Sequence, residues 1–269
     1  MSANRSRLIE ALSGSLPSAN LLWQKEDTAP YECDGLAAYR TLPMAVALPE
    51  NEAQVQAVLK ICSEFGVPVV PRGAGTGLSG GAMPIQEGIV LSTAKMNQIL
   101  NIDPLSRRAT LQPGVRNLAI SDAAAPYGLY YAPDPSSQIA CSIGGNVAEN
   151  SGGVHCLKYG LTVNNVIQVR AVLMDGQVVE FGTEALDAPG LDLLAVMIGS
   201  EGMLAVVTEV TVRLVPRPPV ARVIMASFDD MTKAGNAVAD VIAAGLIPAG
   251  LEMMDKAATR AVEEFVHAG

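Results

Sequence analysis

The sequence predicts a mixed fold in which helices and strands alternate around two glycine-rich loops. Three observations predict it. A run with helical spacing at residues 52–65 gives way at once to a valine-rich run at 67–71. Asp175-Gly176 lies between two β-rich runs, the mark of a hairpin. Glycine is concentrated, with many of the 25 glycines falling in residues 73–81 and 144–153. The chain has 269 residues, 49% hydrophobic and 17% charged, which is long enough for a full core and near the length at which chains divide in two. That hydrophobic content excludes disorder.

Residues 1–38 carry one short helical pattern at 7–12 and are otherwise polar and turn-rich, so organised structure is expected from about Tyr39. Leu48-Pro49-Glu50-Asn51 opens a helix with apolar positions Val55, Val58, Leu59 and Cys62, and Gly66 stands where helices end. Residues 67–71 read as a short buried strand, 88–92 as another, with 97–102 and 108–112 after them. A helix from about Asn117 ends near Gly128, and residues 129–131 are short and extended. Residues 166–174 and 177–181 flank the Asp175-Gly176 turn, both of whose residues tolerate positive φ. A short helix at 191–197 leads to a strand at 204–215. Pro216-Arg217-Pro218-Pro219 makes a stiff connector, because prolines so placed continue neither sheet nor helix. Beyond it come a strand at 220–228, a helix at 231–244, a turn at Pro248 and a second helix from Asp255 to the last residues, 265–269. The expected division is 1–38, 39–217 and 218–269.

The net charge of −9 argues against a nucleic-acid partner. No run approaches the ~20 apolar residues of a membrane span. The most apolar stretch, 241–251, is short and holds Pro248. No secretory signal is visible. Cys33, Cys62, Cys141 and Cys156 show neither zinc spacing nor a disulfide framework, and read as reduced thiols of a cytoplasmic protein. With only His155 and His267, no multi-histidine metal site is expected.

Pro71-Arg72-Gly73-Ala74-Gly75-Thr76-Gly77-Leu78-Ser79-Gly80-Gly81 follows a strand. Such a run lets successive main-chain N–H groups turn toward one anion, and Thr76 and Ser79 add hydroxyl donors, so a phosphate or pyrophosphate is the natural guest. Residues 75–80 match G-x-G-x-x-G, but the dinucleotide fingerprint needs a helix to start there. Here Gly81-Ala82-Met83-Pro84 and a strand follow. No Gly-Lys-Ser/Thr occurs, which excludes a P-loop. The second cluster is Pro133-Asp134-Pro135-Ser136-Ser137, then Ser142 to Gly153. Ser142 caps a short helix over 143–149, leaving Gly144 and Gly145 bare in its first turn. Asn150 and Ser151 offer hydrogen bonds to a heteroaromatic edge. Two such clusters suit one long ligand, a dinucleotide, although glycines that only permit tight turns remain the alternative. Gly199-Ser200-Glu201-Gly202 is by itself a turn.

In order and spacing these elements, with His155-Cys156-Leu157-Lys158-Tyr159-Gly160, resemble the FAD-linked oxidases with the vanillyl-alcohol-oxidase (PCMH) type of flavin domain. The likeness is strongest to the D-2-hydroxy-acid dehydrogenase branch that includes the FAD-binding subunit of glycolate oxidase. It runs from about Tyr39 to the chain end. The resemblance implies an α+β PCMH-type FAD-binding domain of two α+β subdomains at 39–217, then the start of an α+β cap domain at 218–269. It implies that Pro71, Arg72, Gly73, Ala74, Gly75, Thr76, Gly77, Leu78, Ser79 and Gly80 hold the FAD pyrophosphate. Pro133, Asp134, Ser137, Gly144, Gly145 and Asn146 would line the pyrophosphate and flavin side. Asn150, Ser151, Gly152 and Gly153 would approach the isoalloxazine, while Glu201, Gly202, Val206 and Val207 would meet ribose and adenine. Relatives that attach FAD covalently through the first glycine loop use His or Cys there. This loop has neither, so the FAD is expected to be non-covalent. His155 is expected to play a structural polar role.

The implied reaction oxidises a small 2-hydroxy acid of the glycolate or D-lactate type, with hydride passing from the α-carbon to flavin N5 while a base takes the hydroxyl proton. In relatives the base and substrate residues lie mainly in the cap and a His-rich segment beyond. The chain stops early in the cap, so a C-terminally truncated member with little turnover alone is expected, its catalytic residues unassigned. Implied partners are a second flavin-domain subunit and an iron–sulfur subunit, with a cytoplasmic location and peripheral membrane association through that complex. The competing readings are a non-catalytic FAD-binding or assembly module, and another reaction on the same flavin fold, such as enol-ether reduction on a UDP-sugar or alkyl-lipid synthesis.

Overall fold

A computed structural model describes residues 3–185 and 189–267, so Met1, Ser2 and the last two residues of the C-terminal helical pattern, Ala268 and Gly269, lie outside it. The first lobe runs through α1 (Ala3–Ser13), β1 (Leu21–Leu22), α2 (Lys25–Thr28), β2 (Ala45–Ala47), α3 (Glu52–Phe65), β3 (Val69–Arg72) and β4 (Ile89–Ser92). Helix α3 forms because its apolar side chains recur at helical spacing and both ends are stopped. The Asn51 side chain accepts the Gln54 N–H at 3.0 Å, and Gly66 ends the helix at φ +63°. Val55, Val58, Leu59 and Cys62 are buried, as the periodicity demands. The sheet order is β1-β2-β4-β3, with β2, β4 and β3 parallel and β1 antiparallel at the edge. The link between parallel neighbours β3 and β4 usually carries a helix. Here it is the first glycine loop and carries none, so the G-x-G-x-x-G match fails as a dinucleotide fingerprint.

Organised structure does not wait for Tyr39. Leu8, Leu12 and Leu16 from the N-terminus and Leu21 of β1 pack in the same core as the buried side chains of α3.

The second lobe holds β5 (Ile99–Asp103), β6 (Arg108–Leu111), α4 (Asn117–Ala124), β7 (Leu129–Tyr130), α5 (Ile143–Glu149), α6 (Cys156–Tyr159), α7 (Thr162–Asn165), β8 (Val166–Val172), β9 (Val178–Gly182), α8 (Leu193–Met197), β10 (Val206–Arg213) and β11 (Val215–Pro216). Its antiparallel sheet has the order β5-β6-β10-β8-β9. The β8–β9 turn differs from a tight two-residue hairpin. Leu173 still donates to the Gln177 carbonyl (2.9 Å), Gly176 donates to the Leu173 carbonyl (2.8 Å), and only Gly176 takes a positive φ (+81°). This is the three-residue loop in which a left-handed glycine matches the strand twist. Pro216 is not free connector: β11 pairs with β7, and Arg217 donates to the Gly128 carbonyl at 2.8 Å.

The two lobes share a seam. Glu52 at the start of α3 accepts from Arg170 of β8 (2.8 and 3.0 Å) and from Thr208 of β10 (2.8 Å). Along β10, Val206 belongs to the first lobe's core and Val207 to the second's, so strand alternation places the two cores back to back.

After the connector, α9 (Met231–Ala243) and α10 (Lys256–Val266) are capped by Asp230 and Asp255 and bury no residue. The expected strand at 220–228 is absent. The segment forms no regular element, Val223, Ile224 and Met225 are 93–94% exposed, and no strand among the described residues pairs with it. A strand exists only in a ladder, and here the sequence pattern lacks its partner.

Candidate functional site

Residue Pro71 at the end of β3 leads into the first glycine loop, and Ser142 starts α5, its Oγ accepting the Gly145 N–H at 3.4 Å. The glycines let these loops approach closely. A Cβ at Gly73 would collide with the Ser142 hydroxyl, and one at Gly202 would lie 3.0 Å from the Pro71 ring. The turn at 199–202 closes the end of α5: Gly199 donates to the Val147 carbonyl (2.8 Å) and Glu201 to the Ala148 carbonyl (2.9 Å). These bonds hold Glu201 in left-handed backbone at φ +56°, a conformation that costs energy outside glycine.

Together these segments enclose a cavity of about 390 Å³ between the lobes. Its wall includes Pro71, Arg72, Gly73, Ala74, Gly75, Thr76 and Gly77 from the first loop, Ser137, Gly144, Gly145, Asn146, Asn150, Ser151 and Gly152 from the second, and Glu201, Gly202, Val206 and Val207 from the third. Among the described residues, the amides of Ala74, Gly75, Thr76 and Gly77 donate no hydrogen bond within the chain. Such a row of free N–H groups is what an anion needs.

Other expected site residues stand off this wall. Leu78, Ser79 and Gly80 form the outer rim of the loop, with Leu78 73% exposed. Asp134 is committed elsewhere: its Oδ2 lies 2.6 Å from His155 Nδ1, and its Oδ1 accepts the His155 N–H at 3.2 Å. Pro133 gives its carbonyl to Asn117 Nδ2 (2.9 Å), and Gly153 packs on the Asp134 main chain. These contacts tie Pro133, Asp134 and Gly153 to their neighbours, with the His155 ring held against Asp134. Even on the wall, some side chains are spent. The Asn146 amide donates to Asn117 Oδ1 (2.8 Å), Asn150 Oδ1 accepts from Val163 (3.0 Å), and Gly144 is glycine because Pro113 leaves no room for a Cβ.

The wall also holds residues that sequence reasoning missed, chiefly Asp34, Thr93, Pro113, Cys141 and Glu149. Glu149 ends α5 directly before Asn150, and its Oε2 accepts from Ser79 Oγ at 3.4 Å. Burial, then the charge of Glu201, raises its carboxyl above the usual range. An acidic side chain had no reason to be sought in an anion site. Arg72 is the cation of the wall. Its Nη1 donates to the carbonyls of Cys33 (2.7 Å) and Ala82 (3.4 Å), and its guanidinium lies 5.6 Å from the Tyr31 ring centre. Burial works against its charge, and the Asp34 carboxylate offsets part of that cost. Among the described residues no cluster of metal-ligating side chains occurs, and no helix is long and apolar enough to cross a membrane.

Comparison with known proteins identifies the frame. Residues 43–182 match the family model described as FAD binding domain, and residues 217–269 match FAD linked oxidases, C-terminal domain. The chain belongs to the FAD-linked oxidase family. Its cofactor is FAD. The FAD-linked oxidases similar to it include glycolate oxidase subunit GlcD of Escherichia coli (strain K12), 60% identical over 99% of this chain and 53% of that protein. The D-lactate dehydrogenase of Archaeoglobus fulgidus is 43% identical over 81% of this chain and 48% of that one. The chain thus spans about half the length of these curated relatives. Among solved structures, alkyldihydroxyacetonephosphate synthase superposes with a TM-score of 0.78 at 19% identity, over 91% of this chain and 47% of that one. p-Cresol methylhydroxylase superposes at 0.75 with 23% identity, over 90% of this chain and 50% of that one. These share the α+β architecture of the PCMH-type flavin domain.

Proposed function

We propose that this chain is the FAD-binding part of a flavin-dependent 2-hydroxy-acid dehydrogenase, acting on a small acid of the glycolate or D-lactate type. The observation that carries the reading is the meeting of both glycine loops at one cavity with free main-chain amides, bare enough for the phosphates of a dinucleotide. The names of its relatives support the substrate class. When bound, FAD supplies an acceptor for the substrate's α-hydrogen as hydride.

This chain's own residues bind and orient. The amides of residues 74–77 hold the diphosphate. Gly145, Ser151 and Gly152 leave a flat ring room beside the second loop, while Glu201, Gly202, Val206 and Val207 face the nucleoside end. With no His or Cys in the first loop, the flavin is held without a covalent bond. A domain limit near residues 217 and 218 follows from this reading, while residues 3–38 go with the FAD-binding lobes, whose core and cavity wall they share. Relatives named as a subunit support assembly with further subunits, for which a second flavin-domain chain and an iron–sulfur protein are proposed, with a cytoplasmic complex that touches the membrane peripherally. The exposed apolar side chains of Val223, Ile224 and Met225 favour such a covering body.

The test is flavin content and flavin reduction. Purified protein takes up FAD and turns yellow. Co-expressed with the C-terminal half of the Escherichia coli relative, its flavin band bleaches on addition of glycolate or D-lactate. A protein that stays colourless in excess FAD refutes the cavity reading. One that binds FAD but is bleached by neither acid refutes the substrate class.

A further inference from the structure

Asp34 lies on the cavity wall, is 6% exposed, and comes from a segment outside residues 43–182, the span matched to the FAD binding domain. Its Oδ1 is occupied, accepting the Leu36 N–H at 2.8 Å. Its Oδ2 is buried and, among the described residues, has no hydrogen-bond partner. A buried carboxylate oxygen left unpaired loses its water and gains nothing in return, so it calls for an explanation. The neighbours do not supply one. Arg72 is near enough to feel the charge, but its Nη1 is directed to the carbonyls of Cys33 and Ala82. Nor is the segment free to swing away. A Cβ at Gly35 would sit 2.7 Å from the Gly77 carbonyl oxygen and 2.9 Å from that of Thr76, so residues 34–35 lie directly on the first glycine loop.

We propose that Asp34 is a cofactor-contacting residue whose Oδ2 accepts a hydrogen bond from a hydroxyl or N–H group of the bound nucleotide. The proposal rests on the FAD reading of this cavity. The chemistry selects the donor. A diphosphate offers only acceptors and negative charge, which a carboxylate repels, so the partner lies in the ribose, ribityl or ring portions flanking it. The carboxylate then does two things. It satisfies itself only when the nucleotide is bound, and it rejects a bare diphosphate that lacks the donor. The N-terminal segment is therefore part of the binding site as well as part of the core.

Asp34→Asn tests this, because the amide keeps an acceptor for Leu36 and replaces the second oxygen by NH₂. FAD affinity, read by flavin fluorescence titration, is expected to fall roughly ten- to a hundredfold, as for loss of a hydrogen bond to a charged group. The melting temperature of the FAD-free protein is expected to hold or rise, since an unpaired buried oxygen has gone. Asp34→Ser, which offers a shorter acceptor and no second oxygen, is expected to behave alike. Parallel titrations with ADP and FMN assign the donor to the adenosine half or the ribityl–flavin half. Unchanged FAD affinity in both variants, with or without a drop in melting temperature, overturns the inference and leaves Asp34 a turn residue. Failure of the wild-type protein itself to bind FAD, by contrast, overturns the reading beneath it.

Discussion

Two glycines of the same cavity wall should respond in opposite ways to one added methyl. At Gly144 a Cβ would lie 2.6 Å from Pro113 Cβ and 3.0 Å from its carbonyl oxygen, the same carbonyl that accepts the Gly144 N–H at 2.8 Å. Neither partner can retreat without breaking that bond, so Gly144→Ala overpacks a fixed contact. Such insertions cost about 1–3 kcal/mol. Alanine's better helix propensity returns less than ~1 kcal/mol. The net loss should lower the melting temperature by roughly 2–4 °C per kcal/mol in a chain of this size. At Gly77 the φ is not positive, and the added Cβ meets only the tip of Glu149, 2.9 Å from Oε1. That side chain can move, so Gly77→Ala should melt with the wild type. It should nonetheless cost at least tenfold in FAD affinity, since the methyl stands where the nucleotide must reach the main chain. Circular-dichroism melts without FAD, paired with fluorescence titrations, separate the two effects. If Gly77→Ala binds FAD like the wild type, residues 73–77 do not cradle the diphosphate.

Asn51→Ala should destabilise the protein by about 1 kcal/mol through loss of the α3 cap, read as a lower denaturant midpoint. Glu149 has a carboxyl raised by burial first and by Glu201 second. Its contribution to stability is whole below the unfolded-state value and drains as pH rises through the folded one. Relative to Glu149→Gln, then, the FAD-free wild type should gain stability on acidification into the carboxylate range. Parallel melting curves for the two proteins at every pH would remove the argument. Truncation after Pro219 should leave the melting transition of the FAD-binding lobes nearly unchanged, because α9 and α10 bury no side chain. A large fall would mean that the C-terminal segment packs more tightly than its exposure indicates.

What could be read beforehand was whatever local chemistry decides. Asn51, Gly66 and Ser142 stop or start helices through their own side chains or φ values, and each does so where the pattern placed it. The glycine loops were legible because no other residue builds such a surface. The failures share a cause. The segment 220–228 has strand composition, yet its ladder depends on a neighbour that composition cannot supply. The helical pattern holding Leu8 and Leu12 was legible, but its packing on α3 was not, and Asp34 looked like part of a turn-rich tail, because their partners, α3 and the first glycine loop, are distant in sequence. Gly144 does stand on the cavity wall, but the further constraint that Pro113 puts on it links residues that no local pattern connects.

The alternation along β10 reaches beyond packing. Val206 and Val207 are consecutive, and each is a wall of a different hydrophobic interior. Neither half could loosen by itself, for peeling that strand from one would strip the other. Heat should therefore find a single calorimetric event in residues 3–217. A nucleotide gripped at the mouth of that strand would lift the melting of both halves together.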